Sequence, residues 1–308
     1  EIKPGNTIAL IGGNIILNGA SIKNNSGRIE LGSVGSGDVD FTFIPQTQNL
    51  EFGYDRVTNF QDIQLLKLSS VSSLSTIPNL KNAGSIQLQG KRIFIEDGSI
   101  ILSQNTGNLL PGSININATE SLNIIGSNEV ENQSILMSQG LLEGKGSDIK
   151  ISTKELVIQN GGSISAYTFS PNSGGDIEIV ASDSVKVSGS SNLKKNSSTI
   201  VSSSFNTGNG GTIDISTNQL NIRDGGVIAS STFAKGNGGN INIDATKSVE
   251  VEGIELITLQ MSLLSATTFS IGNAGNLTMN TKNLIVKNSG RVDASTVANG
   301  SAGNLTIN

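Results

Sequence analysis

The acidic side chains that recur at one position of the repeating chain are the residues best suited to chemistry. Asp97 and Asp224 each lie at a turn, and Asn160 and Asn288 occupy the equivalent places in other blocks. A glycine follows within two residues in each case. Clustered carboxylates on one face can bind calcium or, with an arginine or lysine as base, cleave an acidic polysaccharide. A β-helical polysaccharide-active enzyme is therefore one hypothesis for the function.

The rest of the sequence favours a structural explanation of these turns. The other acids are scattered, and the chain has no Cys and no His, which removes thiolate ligands, a cysteine nucleophile and the commonest general base. Asp is common at such turns because its side chain accepts hydrogen bonds from turn N–H groups. We therefore predict that the chain is not an enzyme and has no catalytic residue, no cofactor and no metal site.

A repeat of two alternating lengths organises the chain. Blocks of the type Gly-Gly-x-Ile-x-Ile return along the sequence, and the residue after the last glycine aligns at regular steps of 28, 35, 28, 36, 28, 36 and 28 residues. The aligned positions are Ser85, Ser113, Asp148, Asp176, Thr212, Asn240, Asn276 and Asn304. A period of this size indicates that each block is one structural unit stacked on the next.

One 28-residue block shows what the unit is. Residues 212–216, 219–223 and 227–231 each alternate apolar and polar side chains, and glycine-rich turns follow at 224–226 and 235–239. Alternation indicates strands buried on one face, so the block predicts one three-strand rung of a parallel β-helix, an all-β solenoid. A sandwich of hairpins is the alternative, but hairpins repeat strands in twos. Like residues also return in columns, as with Ile164, Ile228 and Val292.

A column of aromatic residues supports the same register. Phe169, Phe205, Phe233 and Phe269 each lie seven residues before the start of the next rung, and Val297 takes this place in the last complete rung. Stacked rings at a corner would bury apolar surface and align successive rungs. We favour this packing role over an aromatic sugar-binding strip, because the spacing follows from the fold.

The longer rungs carry extra residues between their second and third strands, near 128–133, 190–198 and 253–260. Because the long form appears in every second rung, these loops should line one edge of the coil, about 10 Å apart. Such insertions often form a binding surface, although caps over one side of the coil are the alternative. The candidate surface-binding residues are Asn128, Glu129, Asn132, Asn192, Lys194, Lys195, Asn196 and Glu255.

The first 84 residues are less regular, which divides the chain into residues 1–84 and a repeat region, 85–308. Residues 45–56 interrupt the rhythm and are expected to leave the coil as a hairpin or loop. The 57 residues from Arg28 to Gly84 have room for two rungs. Because the chain opens at Glu1 and ends at Asn308, five residues into a new block, we expect a piece, or a processed form, of a longer protein.

Two strings near the start resemble a known family. Pro-Gly-Asn-Thr-Ile-Ala-Leu-Ile-Gly-Gly-Asn at 4–14 and Gly-Arg-Ile-Glu-Leu-Gly-Ser-Val at 27–34 resemble the end of the secretion domain of filamentous-haemagglutinin-like exoproteins of two-partner secretion systems. Gly-Asn-Gly-Gly-Asn-Ile-Asn-Ile at 236–243 and Asp-Gly-Gly-Val-Ile-Ala-Ser-Ser-Thr-Phe at 224–233 are similar to the cyanobacterial members. The asparagine-containing transport motifs of the family's N-terminal half are missing here, and no receptor-binding motif is identifiable.

The resemblance implies a right-handed β-helix in a secreted or cell-surface adhesin, outside a Gram-negative-type outer membrane. It also implies an outer-membrane transporter as export partner, and glycans or proteins of host or neighbouring cells as adhesion partners. A passive stalk that presents a distal effector or receptor-binding tip is the alternative function. The net charge of −5, without a basic stripe, indicates no nucleic-acid partner. No apolar run is long enough for a membrane-spanning helix, and unpaired strand edges at both ends favour end-to-end self-association.

Overall fold

Alternation of apolar and polar residues produces strands along the whole chain. The computed structural model describes residues 3–45, 49–75, 84–107, 110–126, 132–256 and 258–308, and within these ranges every regular element is a β-strand. Strands that occupy the same place in successive coils pair in parallel, so each sheet runs along the axis of the coil. The prediction of an all-β parallel β-helix is confirmed.

The described strands are numbered in chain order. They are β1 (Ile8–Gly12), β2 (Ile15–Asn18), β3 (Ser21–Asn25), β4 (Ile29–Ile44), β5 (Asn49–Phe60), β6 (Ile63–Leu66), β7 (Ser70–Ser75), β8 (Ile86–Glu96), β9 (Ile100–Asn105), β10 (Ser113–Ile125), β11 (Ile135–Gly140), β12 (Asp148–Gln159), β13 (Ser163–Thr168), β14 (Ile177–Ser188), β15 (Thr199–Ser204), β16 (Ile213–Arg223), β17 (Val227–Thr232), β18 (Ile241–Glu252), β19 (Ile254–Glu255), β20 (Gln260–Met261), β21 (Leu263–Thr268), β22 (Leu277–Thr281), β23 (Leu284–Lys287), β24 (Arg291–Thr296) and β25 (Leu305–Ile307).

Two long sheets wrap around the coil. The first contains β1-β4-β8-β10-β12-β14-β16-β18-β22-β25 in that order, with β2, β6 and β23 beside this path, and it forms the first and second faces. The other sheet is the third face and contains β3-β7-β9-β11-β13-β15-β17-β21-β24. Each third-face strand belongs to a different coil, so the described part of the chain contains nine stacked coils.

Columns of apolar residues form the core. On the third face Ile164 pairs in register with Ile200, Ile200 with Ile228, Ile228 with Leu264, and Leu264 with Val292. The first four of these side chains are fully buried. The column that the sequence shows in every second block therefore continues through every coil, and hydrophobic burial along it stabilises the stack.

The observed rung differs in one detail from the predicted rung of three separate strands. The stretches predicted at 212–216 and 219–223 form one bent strand, β16, with a register shift between Thr217 and Gln219. A shift of this kind turns the corner without breaking the hydrogen-bond ladder. The turn at Asp224 and Gly225 does end the strand, because both residues have positive φ angles of 49° and 81°.

The region from Arg28 to Gly84 contains one coil, so the estimate of two rungs was wrong. Ile29 of β4 pairs with Ile86 of β8, which is the next strand on the same face. The remaining length forms an antiparallel hairpin of β4 and β5, paired from Val34 with Phe60 to Ile44 with Asn49. The expected departure from the coil around residue 45 is therefore a hairpin, and it is longer than the sequence pattern indicates.

Glycines allow the coils to approach closely at the turn before the first face. A Cβ built on Gly211 would lie 2.0 Å from the carbonyl oxygen of Gly175, and one on Gly239 would lie 2.0 Å from that of Gly211. Gly275 and Gly303 continue the column with the same contact. The recurrent Gly-Gly of the sequence is therefore a steric requirement of stacking.

Asparagine side chains bridge the coils beside this glycine column. The Oδ1 atoms of Asn209, Asn237 and Asn273 accept hydrogen bonds from the backbone N–H groups of Asn237, Asn273 and Ser301, at 2.9, 3.0 and 2.9 Å. Each amide thus satisfies a turn N–H of the next coil, which the local backbone leaves without a strand partner. This arrangement explains the recurrence of asparagine in these turns.

Candidate functional site

The column of Asp and Asn residues at the second turn has a backbone explanation. Asp97, Asn160, Asp224 and Asn288 have φ angles of 51°, 52°, 49° and 50°. Asp and Asn are among the few residue types with side chains that tolerate this left-handed conformation. The residues recur for that reason, rather than for the hydrogen bonds to turn N–H groups that the sequence suggested.

Charged residues next to these turns form an ion-pair network on the second face. Arg223 pairs with Glu250, and the Nζ atom of Lys287 lies 3.1 Å from Glu250 and 3.4 Å from Glu252. Hydrogen bonds from Arg223 and then Lys287 lower the pKa of the Glu250 carboxyl. Glu250 is therefore held as a carboxylate between two cations, which disfavours it as a general acid.

The long-rung loops lie over the second turns of the preceding coils. A Cβ on Gly161 would meet Ser191 at 2.9 Å, and one on Gly225 would meet Glu255 at 2.7 Å. The Ser190 hydroxyl, in the first of these loops, donates a hydrogen bond of 2.8 Å to Glu255 in the second. The described parts of the loops at 190–198 and 253–260 thus meet along one edge and cover the turns beneath them.

The predicted loop residues occupy different positions on this edge. Asn132 lies over the turn at Gly98, and Asn192, Lys194 and Lys195 are exposed. The peptide N–H of Asn196 donates to the Ser191 hydroxyl, and its carbonyl accepts from the Ser191 N–H at 2.9 Å. Asn128 and Glu129 lie outside the described residues.

The four column phenylalanines form one stack of rings. Neighbouring centroids along Phe169, Phe205, Phe233 and Phe269 are 4.9, 5.0 and 4.9 Å apart, with interplanar angles of 9°, 3° and 2°. The spacing equals the distance between neighbouring strands, which is about 4.8 Å. The strand ladder therefore sets the stack, and each ring packs on the ring of the next coil.

The orientation of the rings limits what the stack can bind. The four side chains are between 41% and 49% exposed, but the faces of Phe205 and Phe233 lie against neighbouring rings on both sides. A sugar stacks on an aromatic ring through the ring face, and this stack presents edges to solvent. The geometry therefore favours packing over a sugar-binding strip at the inner rings.

Replacing Phe205 with alanine is expected to lower the free energy of unfolding by about 2 kcal/mol, since the change removes ring contacts on both sides. Urea unfolding followed by far-UV circular dichroism measures the effect. The matched control is Phe43→Ala, because Phe43 is 56% exposed on the hairpin, and we expect a change below about 0.5 kcal/mol there. Equal effects at the two sites would contradict a structural role for the stack.

A depression of about 330 Å³ lies on the third face between Phe269 and the loop that contains Met261. Asp293 in its floor pairs with Arg291 and accepts hydrogen bonds from Ser265 at 2.6 Å and Ser295 at 3.0 Å. Because these contacts occupy both carboxylate oxygens, Asp293 is poorly placed to act as a base or to bind a metal ion.

A second cleft, which the sequence analysis missed, lies between the β4–β5 hairpin and the outer surface of the first face. Its volume is about 450 Å³, within the range of roughly 300–1,000 Å³ typical of small-ligand sites. The hairpin contributes an aromatic wall and the sheet a polar floor. The lining residues that define this hairpin cleft are Phe52, Tyr54, Phe60, Gln89, Asn117 and Ser152, with Asp55 at the rim. The available signal was three aromatic residues within nine positions of an aromatic-poor chain.

A buried carboxylate anchors the hairpin on the coil. The Tyr54 hydroxyl donates a 2.7 Å hydrogen bond to Glu30, which also receives hydrogen bonds of 2.8 and 2.6 Å from Arg28. The Tyr54 ring fits because Gly32 has no Cβ, which would lie 2.5 Å from the hydroxyl oxygen. Burial raises the pKa of Glu30 despite the neighbouring Arg28, and burial followed by the charge of Glu30 raises the pKa of Tyr54.

This anchor is expected to weaken in alkali. Because the pKa of Tyr54 is raised in the folded chain, the unfolded chain binds fewer protons above its ordinary pKa of about 10. The contribution of Tyr54 to stability is then complete below pH 10 and is lost as the pH rises above it. We expect Tyr54→Phe to be less stable than the parent by about 1–3 kcal/mol at pH 8.

Urea unfolding at pH 8 and pH 11 measures the expected change, and the stability difference between the parent and Tyr54→Phe should shrink at the higher pH. The control is Tyr167→Phe, since the Tyr167 hydroxyl forms no hydrogen bond with any described residue and packs edge-on against Phe205. A difference for Tyr54→Phe that is the same at both pH values would refute the anchor.

Over the described ranges, no three His, Cys, Asp or Glu side chains are placed to hold a metal ion. The same residues contain no helix with the length and hydropathy needed to cross a membrane. The chain matches no protein-family model, no curated protein and no solved structure.

Proposed function

We propose that this chain is a non-catalytic structural adhesin, a β-helical rod of the filamentous-haemagglutinin-like class. The observation that carries the proposal is the stack of nine coils in the described part of the chain, with ion pairs between coils on its outer surface such as Lys150 with Glu178 and Arg223 with Glu250. Because neighbouring strands lie about 4.8 Å apart, a stack of nine coils is roughly 40 Å long. A repetitive rod of this kind is suited to presenting surface at a distance.

The stacking geometry also supports export through an outer-membrane transporter as an unfolded chain. Most coils pair directly with the coil before and the coil after, as β16 does with β14 and β18. Each coil can therefore fold on the edge left by the previous one, and folding can proceed from one end. We accordingly propose a secreted or cell-surface location outside a Gram-negative-type outer membrane.

The proposed adhesion partners are glycans or proteins of host or neighbouring cells. The loop edge supports contact with them, because Asn192, Lys194 and Lys195 are exposed there. End-to-end self-association is a further proposed contact. At one end of the stack, β1 pairs through one edge with β4, and Leu10 and Ile11 are exposed beside it. Unpaired strand edges of this kind can pair with another chain.

Deletion of the gene in the producing cells, followed by an attachment assay, tests the proposal. We expect attachment or aggregation to fall, and the purified chain to compete with the parent cells for the same surface. The adhesin proposal would be refuted if the deletion strain kept normal attachment, aggregation and surface filaments.

The same experiment separates the alternatives. A passive stalk predicts that deletion lowers attachment while the purified chain does not compete, because the distal tip would make the contact. A polysaccharide-active enzyme predicts release of reducing ends when the purified chain is incubated with acidic polysaccharides. The paired state of Glu250 and Asp293 supports the expectation that no such release occurs.

A further inference from the structure

We propose that the hairpin cleft is a binding site for a neutral oligosaccharide, which lies along the coil axis on the first face. The site is separate from the long-rung loops and from the phenylalanine stack. The inference does not rest on the proposed adhesive function, because a stalk or a scaffold could carry the same site.

Gln89 is the first observation behind this proposal. Its side chain lines the cleft, it is only 8% exposed, and its amide forms no hydrogen bond with any described residue. Most polar side chains as little exposed as this one are hydrogen-bonded within the protein, and Gln89 is not among the side chains with fully buried unpaired atoms, so its amide opens onto the cleft. An amide that opens onto the floor of a cleft and has no protein partner is placed to donate to, and accept from, a polar ligand there.

The polar floor continues along the axis from Gln89. Gly32 under the Tyr54 ring pairs with Gln89, Gln89 with Asn117, and Asn117 with Ser152, so these residues form one row across neighbouring strands. A second cavity of about 290 Å³ shares Asn117 and Ser152 with the cleft. The two cavities therefore form one groove that can hold an extended chain.

The chemistry of this row matches sugar hydroxyls. A primary amide offers two donors and an acceptor with two lone pairs, and a serine hydroxyl can donate or accept. Vicinal hydroxyls of a pyranose likewise donate and accept, so each residue of the row can bond to them without any change of charge. The amides of Gln89 and Asn117, one strand apart, repeat along the axis as sugar units repeat along a glycan.

The aromatic wall supplies the second half of a sugar site. The rings of Tyr54 and Phe60 are 6.1 Å apart and tilted by 48°, so they do not cover each other as the stacked phenylalanines do. Phe52 lines the same wall. Apolar C–H faces of a pyranose pack against such rings, while its hydroxyls face the polar floor.

The charges at the groove favour an uncharged ligand. Lys150 is the one cation among the residues that line the two cavities, and it pairs with Glu178 at 3.2 Å. Asp55 stands at the rim of the cleft. An acidic polysaccharide would therefore meet a carboxylate and no unpaired cation, which disfavours it.

Tyrosine fluorescence makes the test specific to the cleft. The chain has no Trp and only two Tyr, so in a Tyr167→Phe background Tyr54 is the single source of emission. The probes are the neutral oligomers maltohexaose and cellohexaose and the acidic oligomer hexagalacturonate, each titrated by calorimetry and by fluorescence. We expect saturable binding of at least one neutral oligomer, with a parallel change in Tyr54 emission.

Two variants locate the ligand, and one serves as a matched control. Gln89→Leu keeps the side-chain size but removes the amide, and Phe52→Ala removes part of the wall; each should weaken binding about tenfold or more. Gln64→Leu makes the same chemical change on β6, outside both cavities, and should leave affinity unchanged within about twofold. Thermal melting followed by circular dichroism confirms that each variant is folded.

The proposal is overturned if neither neutral oligomer binds, or if hexagalacturonate binds more tightly than both. It is also overturned if a neutral oligomer binds without changing Tyr54 emission, or binds folded Gln89→Leu and Gln64→Leu equally well. These measurements use the purified chain in solution, so their failure would leave the attachment assay and its outcome unaffected.

Discussion

Gly239→Ala is expected to destabilise the coil by about 3 kcal/mol or more, one of the largest effects of any single methyl group in this chain. The new Cβ would lie 2.0 Å from the carbonyl oxygen of Gly211, 2.6 Å from its carbonyl carbon and 2.7 Å from the Ser230 hydroxyl. Two of these atoms are backbone, so the clash can be relieved only by separating the coils. Urea unfolding and limited proteolysis near residue 239 measure the loss.

The control for this prediction is Gly12→Ala. A Cβ at Gly12 would meet no atom within 4 Å, and neither Gly12 nor Gly239 has a positive φ angle. The two variants therefore differ in inter-coil space and not in backbone strain, and we expect Gly12→Ala to change stability by less than about 0.5 kcal/mol. If Gly239→Ala were as stable as Gly12→Ala, close stacking of the coils at this turn would be wrong.

Ile200→Ala should cost about 2–5 kcal/mol, because it removes a fully buried side chain from the middle of the third-face column. Ile200 packs between Ile164 and Ile228, whose positions are set by the hydrogen-bond ladders on both sides. These neighbours cannot move into the space without breaking the ladders, so a cavity should remain. Equilibrium unfolding in urea gives the free-energy change.

The same substitution at Ile16 provides the comparison. Ile16 lies on β2 and is 58% exposed, so Ile16→Ala should cost less than about 1 kcal/mol. A cost at Ile200 as small as that at Ile16 would mean that the column is not a packed core. Because a solenoid can unfold in parts, both variants should be followed by proteolysis as well as by a global probe.

The two kinds of site that the molecule offers have different physical origins. The phenylalanine stack and the loop edge repeat with the coils, and their contacts are largely with other coils, as in Phe205 on Phe233 of the next coil and Ser190 on Glu255 two coils along. The hairpin cleft occurs at one place and contains the unpaired amide of Gln89. The repeated features therefore stabilise the stack of coils and form its outer surface. The hairpin cleft, which occurs once, is the better candidate for a ligand site.

The sequence by itself determined the coil. Stacking brings like positions of successive blocks together, so a period of 28 or 36 residues and a column such as Ile213, Ile241 and Leu277 follow from pairing in register. The alternation of apolar and polar residues determined which side of each strand is buried. Both signals depend on local pattern and on the nearest coil, and for that reason they can be recognised without coordinates.

Only the tertiary structure decided what happens between Arg28 and Gly84, how the phenylalanine rings face, and where the hairpin lies. The hairpin is held by contacts such as Tyr54 with Glu30 and with Gly32, which join residues more than twenty positions apart and occur once. A contact that does not repeat leaves no periodic signal in the sequence. The cleft that it creates, with Gln89 at its floor, therefore becomes visible only when the hairpin is seen packed on the sheet.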